Sequence, residues 1–135
     1  MNSIKESPNQ IERSMQYSNK PTVCFDFDGV IHSYTSPWKG HNVIPDPPVD
    51  GIKEVLWELK DKGYIIAITT SRALQESGKF AVEKYLNEYG IPYDIVTALK
   101  VPCVVAIDDR AITFDGDTNG LVDKITSFQP WNRKE

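Results

Sequence analysis

The sequence predicts an α/β domain built around a mainly parallel sheet. Three observations lead there. Short apolar runs rich in β-branched residues alternate with segments whose apolar residues recur at helical spacing. The strongest runs are continuously apolar rather than alternating, as in strands covered on both faces. Each of them ends in polar, mostly acidic residues, and ligands bind outside the carboxyl ends of strands in such sheets.

Each element follows in order. Residues 1–20, MNSIKESPNQIERSMQYSNK, have no clear periodicity and are expected to form a disordered or loosely docked arm, with the domain proper at 21–135. TVCFDF (22–27) is the first strand. Residues 31–48 are rich in proline and aromatic side chains, too short for a domain, and are read as a flap. Ile52, Val55, Leu56 and Leu59 then mark a helix, preceded by Pro47 and Pro48 and ended at Gly63. YIIAIT (64–69) is the second strand. Val82, Tyr85, Leu86 and Tyr89 mark a second helix, stopped by Gly90 and Pro92. YDIVTA (93–98) and PCVVAI (102–107) are further strands, AITF (111–114) is a candidate fifth, and a last helix is expected over about 118–125. The sum is a three-layer, Rossmann-like domain with no large cap domain.

Composition narrows the partners. A length of 135 residues suits one domain, and 40% hydrophobic with 25% charged residues is an ordinary globular balance. The net charge of −4 provides no overall cationic field, so nucleic acid is permitted as a partner but not indicated. No apolar run approaches the roughly 20 residues of a membrane span, and the first twenty residues are too polar for a secretory signal. Cys24 and Cys103 sit in apolar stretches, which suits reduced, buried thiols in a cytoplasmic protein, and they lack zinc-site spacing. The sequence also admits a homo-oligomer, with Trp131 a candidate to pack on the domain or on a partner.

The acidic residues collect at one sheet edge. The first strand ends in Asp26-Phe27-Asp28-Gly29, the second in Thr69-Thr70-Ser71-Arg72, and the fourth, preceded by Lys100, in Asp108-Asp109-Arg110. Like charges so crowded raise one another's pKa unless a cation compensates. An oxygen-rich set suits Mg2+, which keeps waters and uses carboxylates together with phosphate oxygens. Lys100 and Thr70 then fit a phosphate held beside the ion.

These four clusters resemble the motifs of the haloacid dehalogenase-like phosphohydrolases. Asp26-Phe27-Asp28-Gly29-Val30 matches the first motif, Thr70 in IIAITTSR the second, Lys100 the third and Asp108-Asp109 in VVAIDD the fourth. The likeness spans about residues 22–126 and leaves the arm outside it. It implies an Mg2+-dependent phosphomonoester hydrolase in which Asp26 attacks phosphorus and Asp28 is general acid and then base. The metal would be held by Asp26, the Asp28 carbonyl, Asp108 and Asp109, with Thr70, the following Ser71 amide and Lys100 on the phosphate. Thr69 or Ser71 is an alternative for the Thr70 slot. The short flap implies a capless or minimal-cap enzyme with an open site. There Trp38 and its neighbours, with Ser71 and Arg72, are candidate substrate contacts, although Arg72 serves equally as a partner for a carboxylate. His32 and His41 read as loop residues.

Two further functional classes stay open at this point. One is nucleotide or polynucleotide end processing by the same chemistry. The other is a non-catalytic phospho-acceptor or regulatory domain, disfavoured because its adjacent acidic pair normally follows the first strand rather than a late one. DGDTNGLVD (115–123) imitates a calcium loop but has Thr126 where the bidentate Glu belongs. It reads as a turn into the last helix, capped by Asp117 or Thr118.

Overall fold

The computed structural model describes residues 20–132, so the expected arm, apart from Lys20, lies outside the described residues. The elements are β1 (Thr22–Asp26), α1 (Ile52–Asp61), β2 (Ile65–Thr69), a 3-10 turn (Ser71–Leu74), α2 (Glu76–Tyr89), β3 (Ile95–Thr97), β4 (Val105–Ile107) and α3 (Leu121–Thr126). All strands are parallel, in the order β3-β2-β1-β4. This is the α/β class and sheet type expected from the sequence.

Chain direction explains which face carries the helices. From β1 to β2 to β3 the chain steps the same way across the sheet, and right-handed crossovers then place both connecting helices on one face. Leu56 of α1 and Val82, Tyr85 and Leu86 of α2 share one core with Val23, Phe25, Ile66, Ile68 and Val96. Alternation sends Cys24 and Ala67 to the opposite face. The step from β3 to β4 runs backwards, so the short connection 98–104 crosses that opposite face and seats Val101 on Cys24 and Ala67. The helices stop where expected: Gly63 and Gly90 both adopt positive φ.

The β4 side departs from expectation. Val105 and Ile107 pair with Val23 and Phe25, but α1 lies over β2 and α2 over β3, so nothing described covers β4 and Val105 is 51% exposed. AITF (111–114) forms no strand; its Phe114 finds no layer to pack on and stays exposed. The last helix is shorter than expected and starts behind Gly120 in the left-handed region, with no side-chain cap from Asp117 or Thr118. Asp115 and Asp117 instead accept the backbone N–H groups of Asp117 and Asn119, at 2.9 Å each. Cys24 is buried as expected, but Cys103 is exposed. Among the described residues, no helix is long and apolar enough to cross a membrane.

Candidate active site

The order β2-β1-β4 puts the point where the winding reverses between β1 and β4, and a crevice opens there at the strand ends. Asp26 closes β1, and Asp108 and Asp109 follow β4 on the other side of that crevice. The three residues offer carboxylate oxygens that all lie within 4.8 Å of one another, the one such acidic, Cys or His grouping among the described residues. The 115–123 loop makes none.

Two details show how tightly this trio is set. Gly29 has φ +92°, and a Cβ there would collide with the Asp109 carboxylate, so the glycine of Asp-x-Asp-Gly admits Asp109 into the crevice. Both Asp109 carboxylate oxygens are buried without a hydrogen-bond partner among the described residues. Buried carboxylates are ordinarily paired, hydrogen-bonded or bound to metal. Burial first, then the abutting Asp109 carboxyl and the charges of Asp108, Asp109 and Asp28, push the Asp26 carboxyl up to about 8. The Arg110 N–H donates to Asp108 Oδ1 at 2.8 Å, but three oxygen-donor side chains with this surplus of negative charge still fit a hard divalent cation such as Mg2+.

Asp28 faces elsewhere. Arg72 grips it in a fork, Nε to Oδ2 at 2.9 Å and Nη2 to Oδ1 at 3.0 Å. His32 Nδ1 lies 2.8 Å from Oδ1, while its Nε2 accepts the Asp46 backbone N–H at 3.1 Å. That second bond leaves the ring proton on Nδ1, where it donates to Asp28. Burial pushes the Asp28 carboxyl up, but the hydrogen bonds and charges of His32 and Arg72 outweigh it and hold the group below the ordinary range. The same guanidinium fastens the flap. Arg72 Nη1 donates to the carbonyls of Gly40, His41 and Val43 at 3.0–3.1 Å. Tyr85 Oη donates to the Asp46 carbonyl at 2.9 Å, and Asp46 accepts Ser36 N–H and Oγ–H. From the chain's end, Trp131 Nε1 donates to the Gly29 carbonyl at 2.7 Å and Asn132 to that of Ser33 at 2.8 Å.

The remaining expected residues divide. Thr70 is buried, and its Oγ1 accepts Arg72 N–H at 3.2 Å to cap the 3-10 turn. Thr69, in register with Asp26, lines a cavity of about 250 Å³ with Lys100, Asp108, Leu99 and both cysteines. The structure thus brings the alternative threonine, rather than Thr70, to the space shared by Lys100 and Asp108. Ser71 is exposed at the start of the turn. Arg72, 1% exposed with its donors engaged, takes the carboxylate-partner role rather than that of a free substrate contact. His32 lies in the loop after β1, as expected, and is fully buried there at the centre of the Asp28 network. Its one sequence signal is its place four residues beyond Asp28, inside the first motif's own turn.

No family model matches the chain, and no curated protein is significantly similar to it. Among solved structures it is similar to a chain of the Pnkp1/Rnl/Hen1 complex, 18% identical over 85% of this chain with a TM-score of 0.47. It is also similar to a chain of the Pnkp1/Rnl/Hen1 RNA repair complex, 20% identical over 80% with a TM-score of 0.46. The present chain covers 37% and 32% of those chains' lengths. A likeness this loose carries no conclusion about activity.

Proposed function

We propose that this chain is an Mg2+-dependent phosphomonoester hydrolase of the haloacid dehalogenase-like type, acting through an aspartyl-phosphate on Asp26. The observation that carries the reading is the buried Asp109 carboxylate, unpartnered, beside Asp26 and Asp108. Asp26, Asp108 and Asp109, with the Asp28 carbonyl implied by the motif, would hold the ion. When bound, it supplies charge neutralisation for the carboxylates and for the incoming phosphate.

The protein's own groups define the rest. With its pKa near 8, Asp26 keeps its proton at neutral pH while its neighbours are uncompensated, and a protonated carboxyl is a poor nucleophile. Once ionised, an Asp26 oxygen attacks phosphorus, the ester P–O bond breaks, and the leaving oxygen takes a proton. Water then hydrolyses the acyl phosphate and returns Asp26. Asp28, held as a carboxylate by Arg72 and His32, is in the form that draws a proton from that water. Donating to the leaving group, its other implied role, requires Asp28 first to take up a proton, which this pairing opposes until it loosens. Lys100, at the cavity it shares with Asp108, balances phosphate charge, and a threonine hydroxyl at the end of β2 and the Ser71 amide supply donors.

The test is turnover of p-nitrophenyl phosphate. Hydrolysis is expected with Mg2+ and should vanish in EDTA, and a panel of sugar phosphates, nucleotides, phosphopeptides and phosphorylated oligonucleotides would then rank substrates. A protein that binds Mg2+ yet cleaves none of them would end the hydrolase reading and leave a phospho-acceptor domain as its replacement.

A further inference from the structure

On the flap, Trp38 stands over the buried Arg72 with the guanidinium carbon 4.5 Å from the ring centroid, yet its residue remains 51% exposed. A guanidinium stacked on an indole is attractive, more so when desolvated. Here the cation cannot drift. Its Nε and Nη2 are tied to Asp28, and its Nη1 to three carbonyls of the loop that follows Trp38. Its backbone is held as well: a Cβ at Gly78 of α2 would collide with the Arg72 carbonyl, so helix and turn are in close contact. The indole is therefore fixed by one face, stacked on the guanidinium that grips Asp28, and half-exposed to solvent. A large aromatic surface pinned at the rim of a polar site is a ready-made stacking surface, since stacking on it costs little conformational entropy.

We infer that Trp38 is a specificity-determining platform on which the flat ring of the substrate's leaving group stacks, making the preferred substrate a phosphomonoester that carries a heteroaromatic base. This rests on the hydrolase reading above. The base could belong to a free mononucleotide or to a strand end. The net charge of −4 favours the mononucleotide, because the chain has no overall cationic field to draw in a polyanion.

The experiment compares kcat/KM for a nucleoside monophosphate with that for ribose 5-phosphate in the parent, Trp38→Ala and Trp38→Phe proteins. Stacking losses on alanine substitution predict that the nucleotide preference falls about tenfold in Trp38→Ala, chiefly through KM, and largely returns in Trp38→Phe. Turnover with an unchanged preference would overturn the platform. Tryptophan emission gives a second readout that does not depend on catalysis. If the parent hydrolyses nothing, but a nucleotide quenches a component of emission missing from Trp38→Phe, the platform stands and the hydrolase reading fails. Neither turnover nor quenching would overturn both. An oligonucleotide bearing a terminal phosphate, run beside the mononucleotide, identifies the source of the ring, and Trp38-dependent stacking of either one supports the platform.

Discussion

Asp26 and Asp28 are two residues apart in one motif and live in opposite electrostatic surroundings. The charges that act on Asp26 are all carboxylates, and its proton is held unusually tightly. Around Asp28 stand a forked arginine and a buried histidine, and its proton is lost unusually easily. Phe27 between them is fully buried, and the two carboxyls differ in the groups that surround them. One compartment is electrostatically incomplete and the other is closed. Buried charge without a counter-charge is costly, so on the proposed reading the open compartment is where a cation and substrate would bind. The closed one holds the flap and the motif in place.

The sharpest break of this contrast is Asp26→Asn. If Asp26 is the nucleophile, turnover should fall by more than ~10³-fold. The same change removes a repelling charge, so the metal-free protein should become more stable at alkaline pH rather than less. Thermal unfolding in EDTA beside a p-nitrophenyl phosphate assay reads both effects. An Asn variant that still turns over, or that loses stability at high pH, would mean that Asp26 does not sit in the incomplete compartment.

On the closed side, Arg72→Ala leaves Asp28 partly buried without its main partner and frees three flap carbonyls. Breaking one member of a buried pair typically costs ~3–5 kcal/mol. Arg72→Lys should recover only part of this, because an ammonium cannot form the fork. Urea midpoints for the two variants check the ranking. Equal stability of Lys and Arg at 72 would show that the fork contributes little.

The open compartment was legible in the sequence and the closed one was not, for physical reasons. The acidic clusters are strand-end features: each follows an apolar run that can only be a core strand, and parallel topology brings those ends to one edge. Asp26, Asp108 and Asp109 follow from that. The pairing of His32, Asp46 and Arg72 depends on how the flap folds back, and no periodicity encodes a loop's path. The choice between Thr69 and Thr70 depends on register. Thr69 stands beside Asp26 only because Phe25 pairs with Ile68, and a one-residue slip would have exchanged the two. The apolar runs located β2 and β4 equally well, yet only β2 is buried. Covering a strand requires a helix on that side, and the reversed step from β3 to β4 is too short to contain one.

The smallest effect, and the one that draws the contrast most finely, is in pH dependence. Asp28 has a folded-state pKa below its unfolded value, so its contribution to stability is present above the ordinary carboxyl range near ~4 and is lost as pH falls through the lower value. Asp26 is raised, so its contribution is full below ~4 and is lost as pH rises towards about 8. In EDTA the two limbs should oppose each other, giving a stability maximum on the mildly acid side. Mg2+ bound to the ionised trio as proposed should flatten the alkaline limb alone, because binding to the native state adds stability where the carboxylates are already ionised. Asp26→Asn should lack the alkaline limb and keep the acid one, whereas Arg72→Ala should keep the alkaline limb and weaken the acid one, the His32 hydrogen bond to Asp28 remaining. Unfolding temperatures followed by circular dichroism from about pH 2 to about pH 9, with and without Mg2+, separate these cases. An alkaline limb that survives Asp26→Asn would place its origin outside the trio and leave the two halves of the motif electrostatically alike.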